Sequence, residues 1–302
     1  MRPRFSTIVR YMPSKSENIT GMFYMTLSMA SFTLADLALK WACELLPTGQ
    51  VMFILGLGCC TLFWSIVRGK REKALTYQFF LPAVLLRTVG EGVAVVFIFM
   101  ALIHSAFTSV SAILQTLPLL LTLISFIFLG EKVGIHRILA VAIGFAGVML
   151  IIRPGVESFD AFSLYALVAV IGMSMRDVGS RLSPASISAS MLALYGAMTF
   201  VLIGLVMMWF GGVEMPSLES TGYLVAMILF SSSGSYYTTK AMRLGDISAI
   251  SPLRYTRLLF GLLIGVFVLH EKIDAYMLLG SAIVVVAGLY VLFRERRHQQ
   301  AS

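Results

Sequence analysis

Charged side chains are scarce in this chain, and several stand inside stretches that are otherwise apolar. Arg87 and Glu91 are four apart, so on a helix they share a face and can neutralise each other. Arg254 and Arg257 lie three apart in SPLRYTRLLFG, with Tyr255 between them and no acid after Asp246 in that stretch to balance them. Asp36 and Lys40 in LADLALK, and Asp177 and Arg181 in MRDVGSR, show the same four-residue step from acid to base. These groups suit recognition of ions. A guanidinium presents a rigid fork of donors to a carboxylate, a phosphate or an imide-like edge, and a carboxylate accepts a proton or a cationic group. The sequence holds no HExxH zinc pair, no GxSxG elbow and no GxxxxGK[ST] phosphate loop, which argues against an enzyme and against a built-in ATP motor. Cys43, Cys59 and Cys60 include no CxxC, and no His is spaced to complete a metal site, so they read as structural thiols and neither metal nor cofactor is expected.

The elements that carry these charges are membrane spans. With 58% hydrophobic residues, 13% charged residues and a mean hydropathy of +0.89, the chain is far more apolar than a soluble domain. Nucleic acid is rejected as a partner despite the net charge of +8, because most of the cations fall between apolar runs rather than on one basic face. The basic N-terminal stretch precedes an apolar run too long for a signal peptide, so a retained first span is expected. A helix crosses the hydrocarbon in about 20 residues. Runs of that size lie at 20–45, 49–67, 80–103, 106–129, 135–152, 162–182, 186–210, 220–241, 247–269 and 275–293. With the N-terminus inside, sixteen lysines and arginines fall on the inner loops and only Lys40, Arg153 and Lys272 on the outer ones, so both termini are expected in the cytoplasm.

The ten spans divide into two copies of five. LGEKVGIHRILAVAIGFAGVMLIIRP from Leu129 lines up with LHEKIDAYMLLGSAIVVVAGLYVLFRE from Leu269 at an offset of 140, with one residue inserted before the closing glycine. The same offset sets Ser111 on Ser251 and Thr116 on Thr256, and an offset of 141 sets Asp36 on Asp177 and Lys40 on Arg181. An odd number of spans per copy turns the second copy upside down, so the expectation is an all-α membrane protein of ten transmembrane helices in two inverted five-helix repeats. A tail over 1–19 precedes the first repeat, 20–152; the second, 162–293, is followed by a basic tail, 294–302. Two inverted halves enclose a site near the bilayer midplane and expose it alternately to each side. That arrangement implies a secondary transporter.

Ten spans, a five-plus-five repeat, and the FLGEK and VLHEK motifs closing the fourth and ninth spans resemble the drug/metabolite transporter superfamily, in particular its EamA-type members. The resemblance covers about Gly21 to Phe293. It implies carriage of a small polar organic metabolite across the bacterial inner membrane, with the lipid bilayer as the protein's surroundings. Members of that family often have a tyrosine and glutamate ahead of a proline in the ninth span; here Tyr255 keeps the aromatic, Arg257 replaces the acid and Leu258 the proline. The SPxRYxR stretch and the Arg176–Asp177 pair are similar to the branch with bacterial riboflavin transporters and S-adenosylmethionine carriers. Riboflavin or a similar flat, polar cofactor precursor is therefore the first specific substrate expected, and a proton-coupled exporter of amino acids or metabolites is the alternative.

Each charge inside a span is costly and usually faces a bundle interior or a water-filled cavity. Glu91 lies about 16 Å into its span at 1.5 Å per residue, near the midplane. Arg87 and Glu91 read either as an ion pair that holds helices together or as a site where Glu91 takes a proton or cation and Arg87 anchors substrate. Arg254, Tyr255 and Arg257 form the best candidate site; the alternative is that the arginines pair with Glu91, Asp36 or Asp177 of other spans. Tyr236 and Tyr237 follow the small residues SSSGS and suit either packing or stacking on a flat substrate. Gln115 and Thr116 occupy the repeat-equivalent places of Tyr255 and Thr256, which puts them on the opposite wall of a shared cavity or in interhelical hydrogen bonds. Asp36, Lys40, Asp177 and Arg181 read either as local acid-to-base pairs or as gate residues, one pair for each face. Glu131, Lys132, Glu271 and Lys272 read as helix-end anchors. GLLIG at 261–265 suits close packing within the chain as well as between two chains, so a homodimer is one of two arrangements it admits.

Overall fold

The structure is a computed structural model and describes residues 15–71, 77–128, 135–152, 161–184, 186–244 and 251–300. Glu131, Lys132, Arg153 and Asp246 lie outside the described residues, as does the side chain of Arg181. Within the described residues every run expected to span is helical. The first three are α1 (Lys15–Leu45), α2 (Thr48–Gly69) and α3 (Pro82–His104). The fourth span is in two pieces, α4 (Phe107–Leu114) and α5 (Leu117–Phe128), and the fifth is α6 (Ile135–Ile152). The second half follows with α7 (Ser163–Leu182), α8 (Ala189–Gly211), α9 (Leu218–Leu244), a 3₁₀ turn over Ser251–Tyr255 continued by α10 (Thr256–Phe267), and α11 (Ala275–Gln300).

Local chemistry explains several boundaries. Pro82 opens α3 at the first helical position, where a missing N–H costs nothing. Ser188 caps α8 by accepting from the Met191 N–H at 3.2 Å. Gly212, at φ +78°, closes α8 in the left-handed region that a side chain disfavours. The break in the fourth span follows from Pro118, whose ring lacks an N–H for the carbonyl of Leu114 and crowds it. The chain tightens there, the Gln115 N–H donating to Ala112 O at 3.1 Å and the Thr116 N–H to Ile113 O at 3.0 Å.

Helix pairing obeys the inverted repeat. Exchanging the halves sends α1 to α7, α2 to α8, α3 to α9, the α4–α5 span to the α10 span, and α6 to α11. The interface α1·α9 has its exchange mate in α3·α7, α1·α10 has its mate in α4·α7, and α2·α8, α4·α10 and α6·α11 are their own mates. The four most extensive interfaces all join one half to the other, so the halves interlock rather than stand side by side. The symmetry reaches single bonds: Thr116 Oγ1 donates to Ile113 O at 2.7 Å, and its repeat mate Thr256 Oγ1 donates to Leu253 O at 2.6 Å.

Small residues set the closest crossings. A Cβ on Gly90 would lie 2.5 Å from the backbone N of Arg176, and one on Gly172 would lie 2.5 Å from the N of Ala94, so α3 and α7 touch backbone to backbone. GLLIG packs within the chain: Gly261 faces Ser111 and Gly265 faces Thr108, both on α4. The outward faces carry exposed Leu57, Leu202, Leu229, Leu263 and Val286, as a lipid-facing surface requires.

Candidate functional site

Where α1, α3, α7 and the start of α10 meet, seven charged side chains converge. Arg257 reaches Asp36 on α1, Nη2 to Oδ2 at 2.5 Å, and both residues are buried, at 9% exposure each. The Arg257 guanidinium also lies 5.6 Å from the centroid of the Phe32 ring on α1. Arg254, one helical turn earlier, points instead into its own half: its Nη1 stands 3.6 Å from Oδ2 of Asp177 on α7. Asp177 is held more tightly by its neighbour, Arg176 Nε donating to Oδ1 at 2.9 Å. Arg176 continues to Glu91 at 3.8 Å, and Glu91 to Arg87 at 3.6 Å. The result is one closed pair, Asp36–Arg257, and one chain, Arg87–Glu91–Arg176–Asp177–Arg254.

The two aspartates that the repeat sets in equivalent places are thus tied to one short segment of the ninth span. The repeat mates of Arg254 and Arg257 are the apolar Leu114 and Leu117, so the charge arrangement is asymmetric although the helix scaffold is symmetric. Backbone crowding positions it. Gly90 and Gly179 let α3 and α7 close up, and Gly196 on α8 leaves room where a Cβ would stand 3.0 Å from Arg87 Nη1 and 3.1 Å from Glu91 Cγ.

Of the two readings of Asp36 and Lys40, the local pair is not made. Lys40 Nζ donates to the carbonyl of Leu102 at 2.9 Å, in the last turn of α3, where carbonyls have no partner within the helix. Asp36 pairs across helices instead of with the base four residues on.

Tyr255 is 5% exposed, and its hydroxyl lies where a side chain on Gly288 of α11 would have to be, with no hydrogen-bond partner. It therefore fills a notch in α11, away from the acids its arginine neighbours hold. Gln115 and Thr116 are buried, Gln115 Nε2 donating to Ser111 O at 3.4 Å. Tyr237 stacks on Tyr24 of α1, centroids 5.7 Å apart, and meets Tyr236 edge-on at 5.5 Å. Lys240 Nζ sits 4.5 Å from the Tyr24 centroid and 5.7 Å from that of Tyr236. Tyr236 is 52% exposed, and among the described residues no contact links this aromatic group to the arginines.

Sequence reasoning named Arg176 only as part of a motif, yet it is the centre of the charge chain; a guanidinium in mid-span with its acid directly beside it was the available signal. Tyr24 and Lys240 were not expected at the site, because nothing in their spacing ties an aromatic of the first span to a cation of the eighth. Glu271 is the helix-end anchor it was read as, in an unexpected place. It binds the start of α4, accepting from Phe107 N–H at 2.6 Å, Thr108 N–H at 3.0 Å and Thr108 Oγ1 at 2.6 Å.

The EamA-like transporter family matches this chain twice, over residues 19–153 and 161–294. The chain belongs to that family. It is a multi-pass membrane protein with the ten-helix, two-repeat fold, and the family is one of transporters, not enzymes. Among similar proteins, an S-adenosylmethionine uptake transporter of Rickettsia felis is 24% identical over 194 residues, 63% of this chain and 64% of the relative's length. The match thus spans just under two thirds of that relative. A pseudopaline exporter of Pseudomonas aeruginosa is 24% identical over 274 residues, 89% of this chain and 94% of its own. A riboflavin transporter of Brucella anthropi is 28% identical over 200 residues, covering 64% of this chain and 69% of its own. One crystal structure superposes with a TM-score of 0.66 over 93% of this chain and 99% of the other at 18% identity, a likeness of fold.

Proposed function

We propose that this protein is a secondary carrier that moves a polar organic metabolite across the bacterial inner membrane by alternating access, with both termini in the cytoplasm. The observation that supports this reading best is the charge network between interlocked halves. Ion pairs inside the spans join α1 to α10 and α3 to α7 across the two halves, and rocking one half against the other exchanges such pairs without breaking a covalent or backbone link. Asp36 and Asp177 serve as gate residues in this reading, each releasing its arginine on one face, with Lys40 and Arg181 at the corresponding helix ends.

The first specific substrate is riboflavin or a similar flat, polar cofactor precursor. Arg254 and Arg257 supply donor forks, Tyr236 and Tyr237 supply faces, and Gln115, Thr116 and Tyr255 line the discontinuous spans, where carriers place their sites. Relatives named for riboflavin and S-adenosylmethionine lend support. Proteoliposomes holding the purified protein should show saturable riboflavin flux that Arg254→Ala and Arg257→Ala reduce; no such flux refutes the substrate. The alternative, proton-coupled export, draws on Glu91. Its Oε2 lies 3.6 and 3.8 Å from the two flanking guanidiniums, outside hydrogen-bond reach. That reading requires flux driven by an imposed pH gradient and lost in Glu91→Gln.

A further inference from the structure

The charges of the site do not balance. The Asp36–Arg257 pair is neutral by itself. The remaining chain sets three guanidiniums, Arg87, Arg176 and Arg254, against two carboxylates, Glu91 and Asp177. Among the described residues one positive charge is left over at a depth where an unbalanced ion is expensive. Hydrogen bonding is short in the same direction. Nε and Nη1 of Arg87 and Nε of Arg254 are buried donors without a partner.

Exposure indicates which guanidinium has a free face. The Arg87 side chain is 10% accessible, shut in behind Gly196, whereas Arg176 and Arg254 keep 26% and 22%. Arg176 is already committed to Asp177 at 2.9 Å. Arg254 holds the same carboxylate only loosely, at 3.6 Å, beyond hydrogen-bond distance. Its fork is both accessible and under-used, in the geometry that takes an oxyanion by two parallel hydrogen bonds.

We infer that Arg254 binds an anionic oxygen group, carboxylate or phosphate, of the transported molecule, so that the substrate itself supplies the third negative charge of the network. The inference rests on the carrier reading above and sharpens it. Arg254 and Arg257, three residues apart and chemically alike, have different tasks: the charge of Arg257 is answered by Asp36, although its Nε is left without a partner, and Arg254 awaits a ligand. Within the class of flat, polar compounds the anionic members are preferred over neutral ones such as riboflavin.

The test is a thermal shift of the purified full chain at constant ionic strength with probes matched in skeleton and differing in charge. The pairs are benzoate with benzamide, acetate with acetamide, and riboflavin 5′-phosphate with riboflavin. A ligand that binds only the folded state raises Tm. At least one anionic member should raise Tm, at a concentration at least about tenfold below that at which its neutral partner gives the same shift, as loss of a charge-assisted hydrogen bond implies. Arg254→Gln should abolish the anion-specific shift. Because this variant balances the network at two against two, its Tm without ligand should equal or exceed that of the wild type. The inference is overturned if no anion shifts Tm, if the neutral partners act equally, if the shift survives in Arg254→Gln, or if that variant is less stable than the wild type. Saturable transport of a neutral metabolite that is indifferent to Arg254→Gln would leave the carrier standing and remove the anion. An anion-specific shift with no flux of any probe would do the reverse.

Discussion

The closest ion pair of the site allows a quantitative test through Asp36→Asn and Arg257→Gln. Arg257 is 9% exposed and its Nε has no other partner, so neutralising Asp36 strands a buried guanidinium. Breaking a buried pair from one side costs about 3 to 5 kcal/mol. At about 2 to 4 °C per kcal/mol for a protein of this size, either single substitution should lower Tm by about 6 to 20 °C. The double variant removes both charges and strands neither, so it should be no less stable than the worse single variant. The resulting coupling energy should be about 2 kcal/mol or more, well above the roughly 0.5 kcal/mol within which independent sites add. The cycle is read by thermal unfolding in detergent, followed by tryptophan fluorescence, and repeated with Asp36→Asn and Lys40→Met. Local pairing at the four-residue spacing predicts coupling in this second cycle, whereas the structure, with Lys40 on the Leu102 carbonyl, predicts additivity. Additivity in the first cycle or strong coupling in the second would refute the cross-helix assignment.

Two further outcomes follow from the packing. Glu271→Gln exchanges the carboxylate that accepts from two backbone N–H groups and the Thr108 hydroxyl for a neutral amide with one accepting atom. It should cost about 1 to 3 kcal/mol, seen as lower Tm and faster amide exchange at Phe107 and Thr108; unchanged exchange there contradicts the cap. Gly90→Ala introduces a Cβ 2.5 Å from the Arg176 backbone N and pushes α3 off α7, for about 1 to 3 kcal/mol. Gly222→Ala on α9, where no atom lies within 4 Å, is the control and should stabilise by up to about 1 kcal/mol; equal effects at the two positions would count against the close crossing.

Much of the scaffold was legible in the sequence because its causes are local. Twenty apolar residues in a row must form a helix in lipid, since no water is present to satisfy the backbone. The repeat of Thr116 in Thr256 returns as the same side-chain hydrogen bond, whereas the break at Pro118 in a run expected to be one span came only with the structure. Two copies of an odd number of spans must be inverted. Even GLLIG announced a close approach, though not its partner on α4.

Pairing was legible only as a set of alternatives, Arg87 with Glu91 and the ninth-span arginines with Glu91, Asp36 or Asp177. The physical reason why spacing could not choose among them is the same for each residue concerned. A spacing of four fixes that two side chains of one helix share a face, but not which helix that face meets. Asp36 and Lys40 satisfy the four-residue rule and do not pair, because the rotation of α1 presents Asp36 to Arg257 and the end of α3 offers Lys40 an unpaired carbonyl. The energetics of the bilayer demand that each buried charge find an opposite; they do not name it. Only the crossings of α1, α3, α7 and α10 decide that Arg257 is answered by Asp36 and that Arg254 shares Asp177 with Arg176. The sequence by itself determined that charges would stand inside the spans, and the tertiary structure decided which of them answer each other.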